Sequence, residues 1–209
     1  MTALLVIAKE PVPGRVKTRL TPPFTPDEAA ALAGAALADT LEAAAATPAA
    51  RHLLFLDGSP GPWLPPRFDV RPQCPGPLDV RLAAAFADCG GPALLVGMDT
   101  PQVTPDLLGP ALAFDRYDAW FGPAADGGFW ALGLADPDPA LLLGVPMSVP
   151  DTGAVQYERL RAAGLRIGLL PVLRDVDTAA DARAVAALPP HGRFAALHAR
   201  LTASPEAVR

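Results

Sequence analysis

Apolar positions along this chain fall into short unbroken runs, separated by stretches with helical spacing. Ala3-Leu4-Leu5-Val6-Ile7-Ala8 is continuously apolar and reads as a buried first strand. Similar runs at His52–Leu56, Phe68–Arg71, Pro92–Gly97, Tyr117–Phe121, Phe129–Leu134 and Arg166–Leu173 predict further strands. Between them lie helix signals. Thr25-Pro26-Asp27-Glu28 has the N-cap, first-position Pro and first-turn acids of a helix reaching about Ala46. Leu78, Leu82, Ala85 and Phe86 are spaced as one helix face, which Gly90-Gly91 stops. Thr104-Pro105-Asp106 starts another helix. Asp151 or Thr152 starts one that runs to Ala163, Asp177-Thr178 one that runs to about Leu188, and Phe194–Leu201 is the last.

Strands alternate with helices, which predicts an α/β fold: an open, mostly parallel sheet with helices on both faces. Ligands of such sheets lie outside the carboxyl ends of the strands. The segments after the first, central and last strands therefore converge on one edge.

Composition narrows the class. The chain has 209 residues, 51% hydrophobic and 19% charged, and reads as one domain over 1–209. No apolar run is long enough to span a bilayer, and the first apolar run lacks a preceding basic region, so it reads as a strand and the expected location is cytoplasmic. A net charge of −5 excludes an extended nucleic-acid surface. Cys74 and Cys89 have no metal spacing and read as reduced thiols. The many prolines mark turns, and those around Trp63 mark a stiff surface loop. No internal repeat is evident.

Against the acidic background, one loop concentrates positive charge. Lys9-Glu10-Pro11-Val12-Pro13-Gly14-Arg15-Val16-Lys17-Thr18-Arg19 follows the first strand. It has neither the P-loop nor the dinucleotide fingerprint. Gly14 would let backbone amides approach a phosphate, and Arg15, Lys17 and Arg19 would share one side of an extended loop. A solvated basic loop is the bland alternative. Asp99, in Gly97-Met98-Asp99-Thr100-Pro101, ends an apolar strand, where a carboxylate calls for a partner or a cation. Mg²⁺ or Mn²⁺ would suit it, with water and phosphate completing the shell; a turn cap is the alternative. Asp126-Gly127-Gly128 could contact a sugar or simply make a turn, with Phe129 or Trp130 facing the cleft. Asp175 and Asp177 could share a metal with Asp99, although Asp177 or Thr178 could instead cap the following helix, whose first turn Asp181 favours. His52, His191 and His198 are scattered and read as structural or exposed, which disfavours covalent nucleophilic catalysis.

Taken in order, Lys9-x-Pro-x-Pro-Gly-x-Val-Lys17-Thr-Arg-Leu20, Gly97-x-Asp99-x-Pro101, Gly122-Pro-Ala-x-Asp126-Gly-Gly-Phe and Asp175-Val-Asp-Thr-x-x-Asp181 resemble a bacterial family of GT-A-type glycosyltransferase-like proteins, labelled arsenosugar-biosynthesis glycosyltransferases. The layout is also similar to 2-phospho-L-lactate guanylyltransferase and, more distantly, to molybdenum-cofactor guanylyltransferase. The resemblance implies a nucleotide-diphospho-sugar transferase fold with a metal aspartate at Asp99 and Lys17 and Arg19 facing nucleotide phosphates. The family's Gln-x-Gly-x-Asp-Leu-Gly-x-Arg-Met pattern is altered around Gln73–Leu82: Arg81 is kept, but a glycine is missing near Asp79. Val149-Pro150-Asp151-Thr152 lacks the family's Trp before the Thr.

The expected activity is Mg²⁺- or Mn²⁺-dependent transfer from a nucleotide sugar to a small-molecule acceptor. Lys9, Gly14, Arg15, Lys17, Arg19 and Arg81 would bind the nucleotide, Asp99 and Asp175 the metal, and Asp126, Gly127 and Gly128 the substrate, with Asp99 and Asp126 catalytic. Nucleotidyl transfer from an NTP to a phosphorylated acceptor is the alternative, and non-catalytic nucleotide binding the third reading. Neither nucleic acid nor membrane is an expected partner; the oligomeric state is open, a homodimer included.

Overall fold

The computed structural model describes residues 1–189 and 192–203. His191 lies outside them. Seven strands form one mixed sheet: β1 (Ala3–Lys9), β2 (Arg51–Asp57), β3 (Asp69–Pro72), β4 (Ala93–Gly97), β5 (Ala119–Pro123), β6 (Phe129–Leu134) and β7 (Ile167–Leu169). Their order is β3-β2-β1-β4-β6-β5-β7. β6 runs antiparallel to β4 and β5; the other pairings are parallel. The helices are α1 (Pro26–Ala46), α2 (Leu78–Cys89), α3 (Pro105–Leu108), α4 (Thr152–Ala162), α5 (Ala179–Ala186) and α6 (Arg193–Ala203).

Because strand side chains alternate, the apolar runs supply two cores. Leu4, Val6 and Ala8 of β1 point to one face with Leu54, Leu56, Leu94 and Val96, where Leu37, Leu41 and Ala44 of α1 cover them. Ala3 and Leu5 point to the other face with Leu53, Phe55 and Leu95, against Leu82 and Phe86 of α2 and Leu160 of α4. The outer side of α1 packs Leu32 and Ala36 on Val185 of α5 and Phe194 of α6. Helices thus cover both faces. α1 is, by length and hydropathy, apolar enough to cross a bilayer, because alanine fills even its less buried positions. That corrects the expectation of no such segment, but 56% of the stretch is buried inside the fold.

One predicted strand is shorter than its apolar run. β7 spans Ile167–Leu169 instead of continuing to Leu173, since Pro171 has no N–H to give the ladder; pairing resumes only at an isolated bridge between Leu173 and Ala124. α3 ends at Leu108, where Gly109-Pro110 passes into a 3-10 turn. His52 is buried with Nε2 3.0 Å from the Thr47 carbonyl, and His198 lies against Phe24 and Phe194, burial lowering its pKa; both are structural. Cys74 and Cys89 are half-buried free thiols, and burial pushes the Cys89 thiol up to about 11.

α1 begins with a capping box. The Thr25 hydroxyl accepts the Glu28 N–H at 3.2 Å, and the Glu28 carboxylate accepts the Thr25 N–H at 2.8 Å. Thr25→Ala removes the first bond; chemical denaturation should show a loss of about 1 kcal/mol.

Candidate active site at the carboxyl edge of the sheet

β1, β2, β3, β4, β5 and β7 all point their carboxyl ends to one edge, and the antiparallel β6 starts there. The loops after β1, after β4, between β5 and β6, and after β7 therefore meet. The first loop is not extended. The Arg15 N–H donates to the Val12 carbonyl at 3.0 Å, Gly14 takes φ +73°, and Val16 is buried against Ala30 and Ala33. Among the described residues no atom crowds the position of a Gly14 side chain, so its positive φ, and not a close approach, accounts for glycine there. Lys17 itself sits in the left-handed region at φ 48°, ψ 38°, and a 3-10 turn, Thr18–Leu20, follows.

That winding separates the three cations expected on one side. Lys17 turns inward, its side chain 9% exposed, while Arg19 is 77% exposed and Arg15 is exposed. The Lys17 ammonium lies 2.8 Å from Asp99 Oδ1 and 2.8 Å from Asp177 Oδ1. Arg19 adds a longer contact to Asp177 at 3.7 Å. Burial by itself would lower the Lys17 pKa; the charges of Asp99 and Asp177 outweigh it and raise the value. Asp99 is thus paired with a cation and is not a turn cap. Asp177 does not cap α5: Thr178 does, with Asp181 completing the box, which leaves Asp177 for Lys17.

The last segment is held in place by the core of the sheet. The Val176 N–H donates to the Asp99 carbonyl at 2.9 Å. Buried Gln102 donates to the Arg174 carbonyl at 2.7 Å, and the Trp130 indole donates to the Pro171 carbonyl at 3.0 Å. Trp130 is therefore a buried strut that does not face an open cleft, and the half-buried Phe129 packs against Phe121. Gln102 was not among the residues read from the sequence; its place three residues beyond Asp99 was the available signal.

Asp175 is the unusual member. Its Oδ1 is buried without a hydrogen-bond partner among the described residues. Burial, then the charges of Asp99 and Asp126, push its carboxyl up to about 7, with Lys17 opposing. Asp126 itself accepts the Gly128 N–H at 2.9 Å and so makes the Asp-Gly turn. Gly127 (φ +92°) and Gly153 cannot bear side chains: a Cβ would lie 1.8 Å from the Pro150 carbonyl oxygen or 2.4 Å from that of Gly128. This packing, with the Gly153 N–H on the Gly127 carbonyl at 2.8 Å, fixes the Asp126 turn beside the acidic group.

Two of the expected binding residues make contacts with other residues. The Lys9 backbone N–H contacts Met98 Sδ at 3.1 Å, and its side chain is exposed. Arg81 donates to Gln73 Oε1 at 3.0 Å, and Gln73 donates to the Ala8 and Phe55 carbonyls at 2.6 and 3.0 Å. This ties α2 to the ends of β1 and β2. The position where a family glycine is missing is used by Asp79, which accepts the Gly144 N–H at 2.8 Å.

The donor set is hard carboxylate oxygen, the class Mg²⁺ and Mn²⁺ take. Among the described residues no three such side chains form a ready cage. Yet the unpartnered Asp175 oxygen and the excess of carboxylate over cation charge around it fit an added divalent cation.

This architecture is that of a nucleotide-diphospho-sugar transferase fold. The chain belongs to the bacterial family DUF2064, described as an uncharacterized protein conserved in bacteria, whose model matches residues 29–149. A crystal structure from Desulfovibrio desulfuricans G20, provisionally named a nucleotide-diphospho-sugar transferase, superposes with a TM-score of 0.85 at 27% identity, over 96% of this chain and 94% of that one. A CMP:2-keto-3-deoxy-manno-octonic acid synthetase complexed with CTP shares the fold at TM-score 0.53 and 12% identity, over 88% of this chain and 96% of that one. So does 2-C-methyl-D-erythritol 4-phosphate cytidylyltransferase of Thermus thermophilus, at 0.51 and 18%, over 97% and 100%. No curated protein matches the sequence.

Lys17→Met strips the counter-charge from Asp99 and Asp177. Both carboxylates are 36% exposed, so solvent tempers the loss; urea unfolding at neutral pH should show a decrease of about 1–3 kcal/mol. Asp175 gives a pH signature. Its folded pKa lies above the unfolded value of about 3.9, so the native state binds the extra proton between that value and about 7. Stability should therefore fall as pH rises across that window, by about 2–4 kcal/mol. Urea titrations of Asp175→Asn from acid to neutral pH should lack this component; an unchanged slope would show that the carboxyl titrates normally.

Proposed function

We propose that this chain is a transferase acting on nucleotide-activated small molecules, with a nucleotide sugar as donor and a small-molecule acceptor. The observation that carries the reading is the Lys17–Asp99–Asp177 group, with the buried Asp175 beside it, at the strand-end edge of a nucleotide-diphospho-sugar transferase fold. The provisional name of the D. desulfuricans structure supports the donor class.

In this reading Asp99 and Asp175 hold Mg²⁺ or Mn²⁺, which supplies Lewis-acid neutralisation of phosphate charge. Arg15 and Arg19, the exposed cations of the loop, receive the diphosphate from solvent, and Gly14 shapes the turn between Val12 and Val16. Lys17 keeps Asp99 and Asp177 at fixed positions and adds positive charge at the base of the site. The Asp126-Gly127-Gly128 turn borders the acidic group where a sugar or acceptor hydroxyl would lie; the rigid packing of Gly127 on Pro150 keeps that border from moving. The arsenosugar assignment belongs to this reading, as does a cytoplasmic enzyme of one domain.

A second reading, nucleotidyl transfer to a phosphorylated acceptor with release of pyrophosphate, is supported by the fold shared with the synthetase complexed with CTP. A guanylyltransferase-like activity would be one form of it. A panel assay separates the two: nucleotide-sugar turnover in the presence of Mn²⁺ supports the first, whereas pyrophosphate release from an NTP with no nucleotide-sugar turnover establishes the second. Nucleotide binding without either turnover would leave a non-catalytic binding protein. For whichever reaction is found, Asp99→Asn should lower kcat/KM on the order of a hundredfold or more, measured by initial rates at saturating metal.

A further inference from the structure

A second concavity lies on the other flank of the basic loop, where the loop meets α1. It has a volume of about 410 Å³, within the range of small-molecule sites. Glu10, Pro11 and Pro13 come from the start of the loop, Pro62 and Trp63 from the segment after β2, and Asp27 from the first turn of α1. Alanines and Gly34 of α1 form a low floor. None of these residues belongs to the Lys17 group.

The chemistry of the walls is one-sided. Among the described residues the lining includes two carboxylates and no Lys or Arg. The Glu10 carboxylate is fixed: its Oε2 accepts the Ser59 N–H at 2.8 Å. Gly58, at φ +126°, leaves room for it, since a Cβ there would stand 2.4 Å from Glu10 Cβ and 2.5 Å from Oε2. Oε1 takes no hydrogen bond among the described residues. Trp63 presents an indole whose edge lies against Gly61, with no side-chain hydrogen bond among the described residues. The other two indoles are engaged: Trp120 donates to the Ala113 carbonyl and Trp130 to the Pro171 carbonyl. Proline rings complete an apolar, stiff surround.

An indole, proline rings and two carboxylates in one concavity together select a cation carried on an apolar stem. The carboxylates attract positive charge, while the indole and the prolines accept the stem. An anion would meet two like charges. We infer that this concavity, bounded by Glu10, Asp27 and Trp63, is a binding site for an organic cation, an amine or guanidinium on a short apolar chain.

The test uses butylguanidinium, with butylurea as its uncharged counterpart and glucose as a neutral ring, followed in ¹H–¹⁵N spectra of the indole N–H groups. Trp63→Phe assigns the Trp63 resonance; Trp120 and Trp130 serve as internal references. Butylguanidinium should move the Trp63 resonance saturably and leave the references still, and butylurea and glucose should not. Glu10→Gln, which still accepts the Ser59 N–H, and Asp27→Asn should each weaken binding about two- to fivefold. Asp27→Asn keeps the test valid should the Gly58 turn be disturbed by the other change. An equal response to butylurea or glucose, no saturable shift in the folded wild type, or unaltered affinity in Asp27→Asn would overturn the inference.

Discussion

One ammonium group gathers this site. Lys17 Nζ sits between Asp99 and Asp177, 2.8 Å from each. These residues come from the loop after β1, the loop after β4 and the segment after β7, far apart in the chain. Bringing them together costs desolvation of a lysine side chain that is 9% exposed. The two carboxylates offset that cost only because both reach the same nitrogen. The left-handed backbone at Lys17 is the local consequence. Without that turn, the side chain would follow Arg15 and Arg19 into solvent.

The sheet makes this meeting geometrically possible. Six strands end at one edge, and β6, inserted antiparallel, brings the Asp126 turn to the same place. The segment from Pro171 to Val176 is then stitched down by Trp130, Gln102 and the Asp99 carbonyl. These partners are buried or backbone groups, so they hold the acidic segment by the core and not by exposed charge. Asp175 is left pressed among like charges, with an oxygen that no group among the described residues satisfies. The proposed cation would fill that deficit. The proposed transferase chemistry draws on that deficit, and on exposed arginines that stand ready for phosphate.

The same loop faces two ways. Its later residues carry Lys17 and Arg19 to the acidic group, and its first residues, Glu10 to Pro13, wall a separate concavity beside Trp63. Proline at Pro11 and Pro13 stiffens the stretch between them. A molecule held against Glu10 would therefore touch the base of the loop that supplies the first site.

Much of the fold was legible from the chain alone. Unbroken runs such as Leu4–Val6 and Leu94–Val96 are buried on both faces, and only a covered, largely parallel sheet asks for that pattern. The capping sequences at Thr25, Thr104 and Thr178 placed helix starts because caps are local hydrogen bonds between near neighbours. The strand-end position of Asp99 and the concentration of charge after β1 were also visible, since topology alone sends them to one edge. What the chain could not tell was which cation would turn inward. Alternation suggested that Arg15, Lys17 and Arg19 would act together, but a turn fixed by Gly14 and the burial of Val16 broke the period. Likewise, a choice between Asp177 and Thr178 as cap rested on where a distant lysine lay, and the place of Trp130 rested on a carbonyl from another segment. Side-chain direction in loops follows from partners remote in sequence, and those are assigned only when the sheet closes and the core excludes water.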